Sequence, residues 1–95
     1  MIRITGGENR SRLLETPSTT LTKPTMDKVR AAVFSALSDS VKHASILDLF
    51  AGSGSYGFEA LSRGAKDATF VDSSLEAVKV IKKNASNLKH ENIFR

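Results

Sequence analysis

Two carboxylates flank a glycine-containing segment in the middle of the chain. Gly52, Gly54 and Gly57 have the GxGxxG spacing, Asp48 precedes the first of them by four positions, and Asp72 follows it by twenty. Glycines let a backbone approach a ligand closely, and an acidic side chain about twenty residues later can accept both hydroxyls of a ribose. These residues predict a binding site for a ligand that contains a nucleoside.

The position of Asp48 helps to distinguish between two ligands that contain a nucleoside. A nicotinamide dinucleotide places its pyrophosphate on the N-terminus of the following helix, where an acidic residue would repel it. The same residue suits the ammonium and sulfonium of S-adenosylmethionine, so the sequence favours a methyl donor over NAD(P). A structural alternative remains open, in which Asp48 and Asp72 only cap helices. An NTPase phosphate loop is excluded, because Gly57 is followed by Phe58 and Glu59 instead of Lys and Ser or Thr.

A strand, a helix and a second strand must hold this segment. Residues 46–50 form an apolar run that ends at glycines, which is typical of a parallel strand covered on both faces. A short helix containing Phe58 and Leu61 should end at Gly64, and residues 68–72 predict the second strand. The carboxylates and glycines are therefore expected to converge at one end of a sheet.

Further helices are predicted on both sides of this unit. Thr25 can cap the first, and Ser73 or Ser74 can cap the last. The apolar stripe of the first comprises Val29, Ala32, Val33, Ala36 and Leu37. The stripe of the last comprises Leu75, Val78, Ile81, Ala85 and Leu88, with Lys79, Lys82 and Lys83 facing water.

The N-terminal region predicts a β-hairpin, since short segments at 2–5 and 12–15 flank a glycine-containing connection. The chain divides into a basic hairpin and connector, 1–22, and a longer region, 23–95. The predicted fold class is α/β, the N-terminal half of a doubly wound Rossmann-like sheet preceded by the small hairpin and a helix. Two core strands cannot cover three helices, so we expect part of a larger fold or self-association through the exposed sheet edge.

Composition excludes several functional classes. The 95 residues are 40% hydrophobic and 25% charged, which fits one small globular domain or part of one. No apolar run approaches the roughly 18 residues of a spanning helix, so no membrane association and a cytoplasmic location are expected. The absence of cysteine excludes thiolate chemistry, and His43 and His90 are too isolated to suggest a metal site. Six basic against three acidic residues in 1–30 favour a polyanionic partner.

Three sequence blocks are shared with a known family. They are Met1–Gly7 with Arg12, the run KPTMDKVRAAVF at 23–34, and the most specific run, LDLFAGSGSYGFEALSRGA, at 47–65. In these blocks the chain resembles the N-terminal portion of the RsmD-type class I methyltransferases, which methylate the exocyclic amine of a guanine in 16S ribosomal RNA. The resemblance implies S-adenosylmethionine as cofactor, 16S ribosomal RNA or the small ribosomal subunit as partner, and no metal.

The resemblance also implies which residues form the sites. Lys23 stands where the family usually has Arg, which keeps the charge but loses the planar fork for a phosphate. The implied cofactor-binding residues are Asp48, Phe50, Ala51, Gly52, Gly54, Asp72 and Ser73. The implied RNA-binding residues are Arg3, Arg10, Arg12, Lys23, Thr25 and Arg30.

The family's catalytic motif, Asn/Asp-Pro-Pro-Tyr/Phe, does not occur in this sequence, whose prolines are Pro17 and Pro24. In the family that motif aims the guanine amine at the methyl group, and an aromatic ring stacks on the extruded base. The chain alone is therefore expected to be inactive. A non-catalytic RNA-binding or self-assembling module remains the alternative, and an NAD(P)-dependent oxidoreductase ranks below it.

Overall fold

A computed structural model describes residues 2–17, 24–49 and 51–88. The strands are β1 (Ile2–Arg3), β2 (Leu13–Leu14), β3 (Ser45–Leu49) and β4 (Asp67–Val71). The helices are α1 (Pro24–Leu37), α2 (Ser55–Ser62) and α3 (Leu75–Asn87), and a short 3-10 helix spans Ser38–Val41. Within these described ranges no helix has the length and apolarity needed to cross a membrane. The molecule is α/β with two small sheets.

The predicted hairpin is confirmed, although its strands are short. β1 and β2 pair antiparallel, with Ile2 opposite Leu14, and two bonds between Ile4 and the backbone of residues 11 and 12 extend the pairing. Ile2, Ile4 and Leu14 are buried in the main core with residues of α2, β4 and α3. The hairpin therefore packs as part of the domain instead of standing apart from it.

The two core strands pair in parallel and are joined through α2. Ser45 lies opposite Asp67 and Leu49 opposite Val71, so the carboxyl ends of both strands meet at one edge. Alternate side chains of β4, including Phe70, face α2, and the Phe70 and Phe58 rings lie 4.7 Å apart. The parallel strand, helix and strand predicted from the sequence are thus present.

The prediction that the first of these strands is covered on both faces is wrong. Leu47 and Leu49 in β3 are 61% and 57% exposed, and Val71 in β4 is 46% exposed. The physical reason is that the hairpin, α2 and α3 share one core on the other face, where Ala68 and Phe70 are buried. No element of the described ranges covers the outer face.

Helix α1 also differs from its prediction. It begins at Pro24, so Thr25 lies inside the helix instead of preceding it as a cap. Its apolar stripe faces outward: Val29, Val33 and Leu37 are 56%, 39% and 44% exposed, and Ala32 and Ala36 are exposed as well. The buried side chains are Arg30 and Phe34, because a carboxylate in α2 holds the arginine inward while Phe34 packs on Ala60 and Val41.

Helix α3 follows its prediction more closely. The Ser74 hydroxyl accepts the N–H of Ala77 at 3.3 Å and caps the helix, as predicted. Ile81, Ala85 and Leu88 are buried, whereas Leu75 is 78% exposed because it begins the helix ahead of the turns that pack on the core. The three predicted lysines are exposed. Two buried residues of this helix were not in the predicted stripe, Ala77 and the polar Asn84.

Candidate functional site

Residues 51–54 belong to the connection between the carboxyl end of β3 and α2. After the ligand that the sequence predicts for them, we call these four residues the cofactor loop. Its first N–H, from Ala51, donates to the carbonyl of Val71, and the N–H of Gly54 donates back to Ala51 at 2.8 Å. Gly52 and Gly54 have φ angles of +59° and +83°, a region that favours glycine. The loop is therefore a tight turn held against the end of β4.

The three glycines of the motif have different surroundings. A Cβ on Gly54 would lie 2.7 Å from the Phe58 ring, and one on Gly57 would lie 2.1 Å from the Phe70 ring. Both glycines therefore serve the close packing of α2 on β4. A Cβ on Gly52 would meet nothing within 4 Å. Gly52 is thus the glycine that leaves backbone facing open space, where a ligand can approach it.

Asp72 lies just beyond β4 and fixes this loop. Its Oδ2 accepts the N–H of Gly52 at 2.9 Å, and its Oδ1 accepts the N–H of Ser74 at 2.9 Å. These two N–H groups, that of Ser74 first, hold the pKa of the Asp72 carboxyl below its ordinary value. The carboxylate is partly exposed, and each of its oxygens can accept a further hydrogen bond.

Asp48 in β3 is the second carboxylate at this edge. Its Oδ2 accepts the N–H of Gly57, in the first turn of α2, at 3.0 Å. Burial raises the pKa of the Asp48 carboxyl, the hydrogen bond from Gly57 opposes that change, and the nearby negative charge of Asp72 adds to it. Two acidic groups that repel each other at one edge of a sheet would be relieved by a cationic ligand.

The structural alternative is consistent with these contacts too. Asp48 pairs with the start of α2, and Asp72 with the turn that leads into α3, so both act as helix-end acceptors. The two interpretations are compatible, because a carboxylate has about four acceptor positions and only some are used here.

These residues fit S-adenosylmethionine. Asp72 has acceptor capacity for the two ribose hydroxyls, and Asp48 places negative charge where a cationic group would be neutralised. Gly52 opens onto free space, and the exposed Ser73 adjoins Asp72. Ala51 is the buried first residue of the loop, and Gly54 shapes its turn. Phe50 lies outside the described residues.

The sequence-predicted RNA-binding residues are not all brought together. Arg3, Arg10 and Arg12 are exposed on the hairpin. The guanidinium of Arg3 donates to the carbonyl of Ser11 at 3.0 Å, and that of Arg12 donates to the carbonyl of Asn87 at 2.8 Å. Thr25 lies in the first turn of α1, and Lys23 lies outside the described residues.

The expectation that Arg30 faces RNA does not agree with its position. Arg30 is 2% exposed. Its Nε donates to Glu59 at 3.1 Å, and its Nη2 donates to Asp27 at 2.9 Å and to the carbonyl of Arg3. The charge is neutralised inside the protein, so Arg30 is not part of the exposed basic surface.

Among the buried polar residues that sequence reasoning missed are Glu59 and Asn84. Glu59 is 0% exposed, and its two oxygens accept N–H groups of Thr5, Gly6, Arg30 and Arg63. Asn84 is 1% exposed and contacts the cofactor loop. A usable signal existed in each case. Glu59 stands between apolar residues of α2, and Asn84 lies three positions after Ile81 on the predicted apolar stripe of α3, where a polar residue needs partners.

The chain is similar to known proteins over most of its length. The family model described as conserved hypothetical protein 95 matches residues 2–95. Ribosomal RNA small subunit methyltransferase D of Escherichia coli is 42% identical over 91 residues, covering 96% of this chain and 46% of that protein. YlbH of Bacillus subtilis, named as a candidate rRNA methyltransferase, is 38% identical over 97 residues, covering 99% of this chain and 53% of that protein.

Solved structures of related proteins have a similar fold. The structure of the Escherichia coli protein yhhF, described as a candidate methyltransferase, is 39% identical with a TM-score of 0.86 and covers 99% of this chain and 49% of that one. The chain spans about half the length of the curated relatives it matches. The family match extends over almost every residue, and the chain therefore belongs to the conserved hypothetical protein 95 family, which is the RsmD family.

Proposed function

We propose that this chain forms the S-adenosylmethionine-binding half of an RNA methyltransferase that acts on the exocyclic amine of a guanine in 16S ribosomal RNA. Its fold is then the N-terminal half of a doubly wound, Rossmann-like sheet. The observation that carries the proposal is the pair of carboxylates, Asp48 and Asp72, at one edge of a parallel sheet beside a glycine whose backbone faces open space. The names of its relatives support ribosomal RNA as substrate.

The described residues divide the work of cofactor binding. S-adenosylmethionine supplies a methyl group on a positively charged sulfur. Asp72 would accept the ribose hydroxyls while keeping its hydrogen bond to Gly52, so the same carboxylate holds ligand and loop. Asp48 would stabilise the cationic end by charge, which also relieves its repulsion from Asp72.

The proposed reaction is a direct displacement. The lone pair of the guanine amine forms a bond to the methyl carbon as the carbon–sulfur bond breaks. S-adenosylhomocysteine leaves, and the amine loses one proton. The contribution of this chain is to fix one reactant in place, which alone can lower a barrier substantially when the second reactant is also held in line.

Groups that aim the amine belong to the Asn/Asp-Pro-Pro-Tyr/Phe motif, which this sequence lacks. We therefore propose that the 95-residue chain binds the cofactor but does not methylate RNA by itself. The activity, the substrate and the partners proposed for the whole enzyme are supported by the family membership of this chain.

Ligand titration by calorimetry tests the proposal. We expect S-adenosylmethionine and S-adenosylhomocysteine to bind and NAD not to bind. Asp72→Ala should weaken binding at least about tenfold, since it removes the ribose acceptor and the anchor of Gly52. Asp67→Ala is the matched control, because Asp67 begins the same strand at the opposite end and pairs with the Ser45 hydroxyl.

The outcomes separate the alternatives. Binding of NAD alone would contradict a methyl donor and favour an oxidoreductase. Equal losses in Asp72→Ala and Asp67→Ala would mean that binding depends on general stability and not on this edge of the sheet.

A second candidate is a non-catalytic RNA-binding or self-assembling module. One observation favours self-association: Leu47 and Leu49 of β3 and Val71 of β4 are largely exposed on one face of the sheet. A face of this kind on a folded protein marks a surface that associates with other protein. Sedimentation velocity over a range of protein concentrations tests this candidate.

A further inference from the structure

Asn84 of α3 connects two backbone segments that are far apart in sequence. Its Oδ1 accepts the N–H of Glu15 at 2.8 Å, and its Nδ2 donates to the carbonyl of Glu15 at 2.9 Å and to the carbonyl of Ser53 at 3.0 Å. Both amide protons are thereby used, and Glu15 is paired on both its backbone groups as a residue in a β-ladder would be. The side chain is 1% exposed, so water cannot replace these partners.

The two segments joined by Asn84 belong to different proposed sites. Glu15 directly follows β2 and leads out of the hairpin, whose Arg3, Arg10 and Arg12 form the proposed RNA-facing group. Ser53 lies between the two positive-φ glycines of the cofactor loop and is itself buried. A single amide therefore spans the distance between the hairpin and the loop.

The other end of the hairpin is held to the helix that follows the same loop. The N–H groups of Thr5 and Gly6 donate to Glu59, and those of Glu8 and Asn9 donate to the carbonyl and hydroxyl of Ser62. The hairpin is thus fixed at its turn to the far end of α2 and at its last residue, through Asn84, to the loop from which α2 starts. A displacement of the hairpin would therefore be transmitted through Asn84 to the cofactor loop.

We propose that Asn84 is a positioning residue that sets the cofactor loop against the hairpin, so that cofactor binding and RNA binding are energetically coupled. Within the part of the chain that the structure describes, three hydrogen bonds hold the loop to elements other than α2: the N–H of Gly52 on Asp72, the N–H of Ala51 on Val71, and the carbonyl of Ser53 on Asn84. Only the last of these leads to the hairpin. The coupling between ligands rests on the proposed function, whereas the positioning of the loop does not.

The chemistry of the amide suggests a sharp variant. Asn84→Asp keeps the size and the acceptor for Glu15 but replaces both donated protons with a carboxylate oxygen that faces two carbonyls. Asn84→Ala removes all three bonds. Asn87→Ala, three residues along the same helix and exposed, is the matched control.

The first measurement is amide hydrogen exchange of the 95-residue chain without any ligand. In Asn84→Asp we expect the amides of Gly52 and Gly54 to exchange about tenfold or more faster, while amides inside β4 and the control keep wild-type rates. Uniform acceleration of all amides would mean that Asn84 only stabilises the fold and would overturn the proposal. Unchanged rates at Gly52 and Gly54 would overturn it as well.

The second measurement titrates S-adenosylhomocysteine with and without a short guanine-containing RNA hairpin. The wild-type chain should show a ratio of the two dissociation constants of about fivefold or more, and Asn84→Asp should bring it close to one. A wild-type ratio of one with both probes bound would contradict the coupling. If the wild type bound neither probe, the proposed function would fail, and the exchange rates would still decide the role of Asn84.

Discussion

At the residue scale, Glu59 shows how a charge is tolerated in the interior of a small domain. It is 0% exposed, and each of its oxygens accepts two hydrogen bonds, one from a backbone N–H and one from an arginine. Burial raises the pKa of this carboxyl, but the hydrogen bonds from Arg63, Thr5 and Arg30 together hold it below its ordinary value. Glu59 of α2 thus connects the hairpin and α1 to its own helix. The hydrogen bonds to both of its oxygens offset the unfavourable free energy of burying its charge.

Glu59→Gln should destabilise the protein. At neutral pH the amide protons would face N–H donors, and breaking a buried ion pair of this kind costs about 3–5 kcal/mol. Because the pKa of Glu59 in the folded state lies below its ordinary 4.5, its stabilising contribution is present above that value and is lost as pH falls through the folded-state pKa. The wild type should therefore lose more stability on acidification than the variant does.

Urea unfolding followed by circular dichroism across a pH series measures both effects. Glu8→Gln, at an exposed position in the hairpin turn, is the control and should follow the wild type. Equal unfolding free energies for Glu59→Gln and the wild type at neutral pH would show that the ion pairs of Glu59 with Arg30 and Arg63 do not stabilise the fold.

Two glycine substitutions separate ligand binding from packing. Gly57→Ala places a methyl group 2.1 Å from the Phe70 ring, an overpacking that costs about 1–3 kcal/mol.

Gly52→Ala meets no neighbour within 4 Å, so only its positive φ is unfavourable, at about 1–2 kcal/mol. The methyl group would occupy the space proposed for ligand, and S-adenosylhomocysteine should bind about tenfold or more weakly. Wild-type affinity in a folded Gly52→Ala protein, measured by calorimetry, would contradict a ligand approach at Gly52.

The residues of the site differ in how far the sequence can predict them. Asp48, Gly52 and Asp72 could be placed at one edge, because strand ends and motif spacing are local features. Arg30 could not be placed, since its burial depends on Glu59, which lies 29 positions away. Asn84 is similar, because its partner segments are brought to it only by the packing of the whole core.

At the element scale, α2 is the helix to which the hairpin, α1 and β4 are all attached. The hairpin is bonded to Glu59 and Ser62, α1 to Glu59 through Arg30, and β4 packs on Phe58. Periodicity predicted the existence of all three helices, but it misplaced the inward face of α1. The apolar stripe of that helix is exposed among the described elements, because an ion pair, which periodicity does not weigh, fixes the rotation of the helix.

The hairpin carries the element-scale prediction on RNA. Arg10 is exposed near the turn, so Arg10→Ala should weaken binding to a ribosomal RNA fragment without altering the fold. If it contacts one phosphate, the slope of log affinity against log salt should fall by about 0.7–0.9. Fluorescence anisotropy at several salt concentrations measures this slope. Lys79→Ala on α3 is the control, and an equal effect there would indicate general electrostatic attraction instead of a site on the hairpin.

At the scale of the whole molecule, one side of the core is well covered and the other is not. The hairpin, α2 and α3 enclose Phe58, Phe70 and Ile81, whereas Leu47, Leu49 and Val71 lie on the outer face of the β3–β4 pair. Buried polar side-chain atoms in the described ranges all have partners, so the interior itself is complete. An exposed strand edge could be expected from the number of predicted strands and helices. The exposed sheet face could not be predicted, because the sequence pattern of two parallel strands is the same whether helices cover one face of the sheet or both.

This outer face predicts association that depends on concentration. Burial of exposed leucine side chains is favourable by about 25 cal/mol per Å² of apolar area, and Leu47 and Leu49 are neighbours on the same face of β3. The double variant Leu47→Lys, Leu49→Lys should therefore remain monomeric at concentrations where the wild type forms dimers or larger species. Its fold should persist, because both positions already face solvent.

Leu13→Lys is the matched control, since Leu13 is 49% exposed but lies on the hairpin. Sedimentation velocity over a concentration series gives the answer: a wild type that is monomeric throughout, or equal dissociation by Leu13→Lys, would mean that this sheet face does not mediate self-association.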